Sequence, residues 1–247
     1  SELRSRLSQL QGSQRARAHF LLAESANHLR NGEDAVTQYR RVLNDHPGAP
    51  YVAPAKYGLA WHYYRAANNK RAAGAFSRVR TEHSGRLAKK ATYYEAVQRA
   101  ALGDTTRATE LYQTVARESP DSRLAPEALF EAGLLRYEQE RYGSAAAFLR
   151  ALVRDHPNAA RIGDAYYWLG NAYLVEKSLD RALEAYNKAA SYDTASESLI
   201  LEVRFQKAWA QYEEERYGDA APGFLSLAES APETDRGRAA LFWAADS

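Results

Sequence analysis

The chain has 247 residues, an ordinary share of apolar and charged residues, no Cys and no Met. That length can bury a substantial core in one or two domains. The missing Cys excludes disulfides, thiolate metal sites and thiol nucleophiles, and no window reaches the length of an apolar membrane span. The net charge of +2 is unevenly spread: residues 1–124 carry 20 Lys+Arg and 11 Asp+Glu, and residues 125–247 carry 13 and 20, so the halves stand at +9 and −7. Drift among solvated residues gives such a gap, as does a basic end that meets an acidic partner or head-to-tail contact between copies.

Leu3, Leu7 and Leu10 share one helical face in "SELRSRLSQLQGS", which predicts a helix over residues 1–13. It reads equally as a cap or as the second helix of an earlier unit. From residue 14 to 247 one pattern recurs. Small residues fall at Ala23, Ala60, Ala96, Gly133, Gly170, Ala208 and Ala245, and three residues before each stands Phe20, Tyr57, Tyr93, Phe130, Tyr167, Phe205 or Phe242. Twelve residues after the first six small positions comes Ala35, Ala72, Ala108, Ala145, Ala182 or Ala220; four further on are Tyr39, Phe76, Tyr112, Leu149, Tyr186 and Phe224. The units close on Pro47, Ser84, Pro120, Pro157, Thr194 and Pro232. Six full repeats follow, at about 16–47, 53–84, 89–120, 126–157, 163–194 and 201–232, then the first helix of a seventh at 238–247.

One unit shows the physics. In "AYYWLGNAYLVEKSLDRALEAY" (165–186), Tyr167, Gly170 and Leu174 share one helical face, "VEKSLD" interrupts, and Ala182, Tyr186 and Ala189 begin a second stripe. Small residues at Gly170 and Ala182 predict close antiparallel helices, with the aromatics filling the space between neighbouring units. Pro157 stops one hairpin, while Pro54 and Pro126 suit the first turn of the next. A lone hairpin cannot bury both of its apolar sides, so the units must stack, and the expected fold is an all-α α-solenoid.

The run Y-W-L-G-N-A-Y at 167–173, the invariant Ala, the aromatic four residues later and the closing Pro resemble the tetratricopeptide repeat over residues 15 to 247. The resemblance implies a right-handed superhelix that binds a protein or peptide in its concave groove. The unit here is about 37 residues against about 34 for that family. The extra length lies in linkers such as "PGAPYVAP", "PDSRLAPEA" and "PNAARIGDA". Glu95, Lys207 and Arg136 occupy first-helix slots that are usually apolar in the family, which predicts wetter turns there. Long units with such linkers resemble those of bacterial envelope proteins, including the periplasmic partner of the Tol–Pal system and the lipoprotein of the outer-membrane assembly machine. They imply a periplasmic or outer-membrane-associated location.

No catalytic constellation emerges. His46, His83 and His156 end second helices, where a cation or dipole complements the helix C-terminus, and His19, His28 and His62 form no H-x-x-x-H pair. "NGED" and "LGDT" are inter-helix turns, no nucleophile motif is present, and Glu213, Glu214 and Glu215 form a solvated run. Neither an enzyme, a cofactor nor a metal is expected. Arg65, Lys70, Arg71, Arg78, Arg80, Lys89 and Lys90 cluster in sequence, but a near-neutral chain without a reading motif gives no expectation of nucleic-acid binding.

Recognition is expected at first-helix slots that vary between units. After each small residue come Glu24, Trp61, Val97, Leu134, Asn171 and Trp209; three further on stand Asn27, Tyr64, Ala100, Tyr137, Leu174 and Tyr212. The candidate groove comprises Trp61, Tyr64, Arg65, Leu134, Tyr137, Asn171, Leu174, Trp209 and Tyr212, with two aromatic landing sites at Trp61/Tyr64 and Trp209/Tyr212. The competing reading is that these aromatics complete the hydrophobic seam. Asn171 alone offers the amide used by family members that grip a C-terminal carboxylate.

The final "GRAALFWAADS" repeats the slots of Ala165, Tyr167 and Gly170 at Ala240, Phe242 and Ala245. It is expected to pack one side on the sixth unit and to present Leu241 or Trp243 on another. This favours a cut in a longer array and self-association through 238–247. The function expected from all of this is a non-catalytic interaction scaffold. The alternative is the superhelical accessory segment of a larger peptidoglycan-cleaving enzyme or regulator.

Overall fold

The computed structural model describes residues 7–192 and 196–247. Among these residues it is all-α, with no strand: a 3-10 turn at Leu7–Gln9 precedes thirteen helices. Six hairpins follow one another: α1 (Gly12–His28) with α2 (Gly32–Asp45), α3 (Val52–Arg65) with α4 (Asn69–Glu82), α5 (Gly85–Ala101) with α6 (Thr105–Glu118), α7 (Leu124–Glu138) with α8 (Tyr142–Asp155), α9 (Ile162–Val175) with α10 (Leu179–Ala190), and α11 (Glu197–Glu213) with α12 (Tyr217–Ser230). Helix α13 (Asp235–Asp246) comes last. The chain divides into two compact units, the first ending at Ala125 and the second beginning at Pro126. Within each unit a helix packs mainly on its neighbours in sequence, as an α-solenoid requires. Of the helix expected over 1–13, residues 1–6 lie outside the described residues; in the rest, Leu7–Gln9 is a 3-10 turn, Gln11 is extended, and Gly12 already opens α1. Leu3 and Thr194 lie outside the described residues.

All six hairpins use one turn. Arg30, Ala67, Gly103, Glu140, Lys177 and Glu215 have φ between +52° and +77°, and the N–H of each following residue reaches back five positions. The series runs from 2.8 Å, Asn31 to the Ala26 carbonyl, to 3.0 Å, Asn68 to the Tyr63 carbonyl. This 6→1 bond closes a helix in the left-handed conformation. Only Gly103 supplies the residue that adopts it without cost. The next residue caps the second helix in the first unit, where the side chains of Asn31, Asn68 and Asp104 accept from the N–H of Asp34, Arg71 and Arg107. Arg141, Ser178 and Arg216 make no such bond.

The long linkers are also regular. Residues 46–52, 119–125 and 156–162 each form two successive turns, such as Ala159 N–H to the His156 carbonyl at 3.0 Å and Ile162 N–H to the Ala159 carbonyl at 3.1 Å. The extra length is thus folded backbone. His46, His83 and His156 stand at the C-caps of α2, α4 and α8.

The core is built inside the hairpins. Ala35, Ala72, Ala108, Ala145, Ala182 and Ala220 are completely buried, and the larger side chains four residues on are buried with them. The aromatic row meets those residues in its own hairpin: Phe20–Tyr39, Tyr57–Phe76, Tyr93–Tyr112, Tyr167–Tyr186 and Phe205–Phe224 have ring centroids 5.6 to 6.2 Å apart. The row also touches the next unit, with Tyr51 stacked on Phe20 and the Arg161 guanidinium 3.6 Å above Phe130. The row thus packs inside its own hairpin as well as filling space between units, as expected. Gly170 is required in this scheme because a Cβ there would lie 2.5 Å from the Tyr186 ring.

Glu95 overturns an expectation. It is 1% exposed, not wet, and its carboxylate lies 2.7 Å from Arg80 Nε and 3.8 Å from Arg99 Nε. The charge is tolerated in the core because two guanidiniums neutralise it there. Lys207 and Arg136 are half-buried, bonded to Asn187 and Gln139.

Candidate functional site

Trp61 and Tyr64 lie one turn apart on α3, their rings 4.9 Å apart. Neither stands free: Tyr94 of α5 closes on Trp61 at 4.6 Å, and Phe76 meets it at 6.0 Å from α4. In the second unit Trp209 and Tyr212 are 5.7 Å apart, with Trp243 of α13 at 4.7 and 5.3 Å from them. Tyr137 lies 5.0 Å from Trp168 and 5.0 Å from Tyr142. These aromatics are half-buried in seams between consecutive first helices. Leu134 and Leu174 are also half-buried. Asn171 is buried, and its side-chain carbonyl accepts from the Tyr186 hydroxyl at 2.7 Å, so it serves the hairpin interior.

The seam partners escaped the sequence reading. Tyr94, Trp168 and Trp243 stand two residues before a small position, where the other units have Leu21, Gly58, Glu131 and Gln206. The visible signal was the aromatic at every second unit. A further rule links the two helices of a hairpin. Where the second helix contributes Phe76 or Phe224, the slot after the small residue is Trp61 or Trp209; where it contributes Tyr39 or Tyr186, the slot is Glu24 or Asn171. A phenol carried into a core needs an acceptor, so part of the variation expected to encode recognition satisfies the hairpin itself. Tyr112 with Val97 departs from the rule.

An open site remains in the first unit. A hollow of about 360 Å³ lies between the first helices, walled by Phe20, Tyr57 and Trp61. Its polar side is a chain of bonds. The Tyr39 hydroxyl donates to Glu24, Asn27 Nδ2 donates to the same hydroxyl at 2.7 Å, and Arg65 donates to Asn27 Oδ1 at 3.0 Å. Among the described residues neither Glu24 nor Arg65 has an ion-pair partner. Burial, and then the bond to Glu24, push the Tyr39 phenol far above its ordinary value. His62 is held below its ordinary value, first by burial and then by Arg65 and Arg40. The size suits one or two side chains of a ligand. In the second unit the Tyr212 hydroxyl donates to Asp246, a bond that with burial raises the phenol to about 12. Among the described residues no three His, Asp or Glu side chains gather as a metal site, and no helix is long and apolar enough to cross a membrane.

Family models described as tetratricopeptide repeat match residues 57–123, 99–160 and 130–197, and a second such model matches 17–49. No curated protein matches. Among solved structures, MamA from Desulfovibrio magneticus is 22% identical over 74% of this chain and 97% of that one, with a TM-score of 0.59. YrrB, described as a protein of this repeat class with an unusual peptide-binding site, is 21% identical over 76% and 91%, with a TM-score of 0.60. The C-terminal part of a repeat protein from Cytophaga hutchinsonii is 16% identical over 86% and 79%, with a TM-score of 0.67. At these identities the likeness concerns the fold. With most of the chain matched repeat by repeat, the protein belongs to the tetratricopeptide-repeat family.

Proposed function

We propose that this chain is a protein-interaction scaffold whose first unit holds a peptide at the hollow between its first two hairpins. The observation that carries the reading is the pairing of apolar walls with Glu24 and Arg65, two charges without ion-pair partners among the described residues. A ligand side chain enters between Phe20, Tyr57 and Trp61, and the ligand backbone or a polar group meets Asn27 and Arg65. The peptide site of YrrB lends this support by likeness of fold.

Because Trp61 sits in a seam, the test uses polar residues. A random-peptide display selection against the folded chain yields a ligand, and Glu24→Lys and Arg65→Glu are then titrated with it. Loss of binding with unchanged melting supports the reading; undiminished binding by both variants removes it. As a finer part of the proposal, the long linkers support a place in a bacterial envelope assembly, which fractionation of the native host tests against a cytoplasmic location. The exposed Leu241 and Phe242 support self-association through α13. Sedimentation of the Leu241→Asp/Phe242→Asp variant tests that.

A further inference from the structure

A second feature of the first unit neighbours the hollow through the Trp61–Tyr94 contact but shares no lining residue with it. A notch of about 820 Å³ lies along the start of α5, the end of α6 and the linker at 119–124. Tyr94, Val115 and Leu124 supply its apolar part, and Arg86, Lys89, Lys90 and Arg123 its cations. Glu118 and Asp121 are its two carboxylates. Among the described residues Arg86, Lys90 and Arg123 make no ion pair, and Lys89 donates to the Glu118 backbone carbonyl at 3.1 Å. Ser119 Oγ is buried there without a partner among the described residues. Ser84 makes no capping bond to α5, so the first-turn N–H groups of that helix are open to a ligand.

Comparison with equivalent slots in the second unit shows what is missing. One repeat later, counted by 37 residues, Tyr94 corresponds to Glu131 and Leu124 to Arg161. There Arg161 pairs with Glu131 at 3.0 Å and with Asp164 at 3.7 Å, so that region neutralises itself. Lys90 in turn occupies the slot that holds Glu127 and then Asp164 in the next two repeats. The third hairpin has therefore exchanged an internal ion pair for an apolar floor and reversed the charge on its rim. From this we infer that the notch is a docking site for an extended acidic peptide that places an apolar side chain on Tyr94 and Leu124 and its carboxylates among Arg86, Lys90 and Arg123. Glu118 and Asp121 disfavour a continuous phosphate backbone, while a peptide can space its charges to avoid them.

The probe is a fluorescein-labelled octapeptide of alternating Glu and Leu, titrated into the whole chain by anisotropy at about 0.15 M salt, where distant charges are screened. Its Lys/Leu counterpart and oligothymidylate are run beside it. Arg86→Glu with Lys90→Glu is expected to weaken the acidic peptide about tenfold or more. Arg17→Glu with Arg41→Glu, the same charge change on the first hairpin, should leave binding within about twofold. Circular dichroism checks that both double variants keep their helices. Absence of binding, an equal loss in the two double variants, or tighter binding of oligothymidylate overturns the inference. Arg65→Glu separates this site from the hollow, because it should disturb the selected peptide and leave the acidic one unchanged.

Discussion

The two units repeat the same hairpin with different chemistry. In the first, every second helix begins on a capping side chain, Asn31, Asn68 or Asp104. In the second, the same position is Arg141, Ser178 or Arg216, and none of them caps. The first unit carries +9 and the second −7. Their buried phenols differ in the same sense. Tyr39 is bonded to half-buried Glu24 and Asn27 at the edge of an open hollow, whereas Tyr186 is bonded to buried Asn171. The turn geometry is common to both, so the backbone pattern tolerates wide variation at its polar slots. The polar and open features gather in the first unit, where the proposed sites lie.

Alkaline pH should break both units, and it is the largest effect expected. Phenols at Tyr39 and Tyr186 have folded values far above 10, chiefly through burial, and Tyr212 stands at about 12. A raised folded value means that the stabilisation is complete below pH 10, the unfolded value, and is lost as pH rises through the folded one. Tyrosinate absorbance followed with circular dichroism should show exposed phenols ionising near pH 10 with helices intact, and the remainder only as helicity falls. Full ionisation of an intact protein would contradict the burial of Tyr39 and Tyr186.

Removing Arg80 should unbalance the first unit alone. Arg80→Ala leaves the carboxylate of Glu95 in the core with only the distant Arg99, at a cost of about 3 kcal/mol. Hydrogen exchange should show the loss in α4 and α5. Protection equal to that of the parent would show that the Arg80 contact does not stabilise the core around Glu95.

The phenol contrast gives a smaller and more discriminating test. Tyr186→Phe strands the Asn171 carbonyl in a buried site and should cost about 1–2 kcal/mol. Tyr39→Phe should cost less, because Glu24 and Asn27 can rehydrate. Chemical denaturation ranks the two, and the reverse order would refute the contrast between closed and open phenols.

The caps offer the finest comparison. Asn68→Ala should destabilise by about 1 kcal/mol, while Arg141→Asn should stabilise by about 0.5–1 kcal/mol. Melting of the single variants reads both signs. No gain at residue 141 would show that the turn in the second unit is stabilised by means other than the side-chain cap.

A spacing of small residues, an invariant Ala and an aromatic four residues later were enough to give the fold class and the family, because each hairpin must bury the same two stripes and the stripes are local. Ala182 and Tyr186 could be assigned to a core from their spacing alone. The partners of the variable slots were not legible in that way. Trp61 faces Tyr94 from the next first helix, Glu95 meets Arg80 across the α4–α5 connection, and Asn171 is reserved by a phenol fifteen residues later. Such contacts join residues from different helices, and periodicity within one helix does not report which neighbour fills a slot. The hollow beside Arg65 and the cationic notch at Lys90 depend on the same thing: a place where the neighbouring helix brings too little side chain, or too little opposite charge, to close the surface.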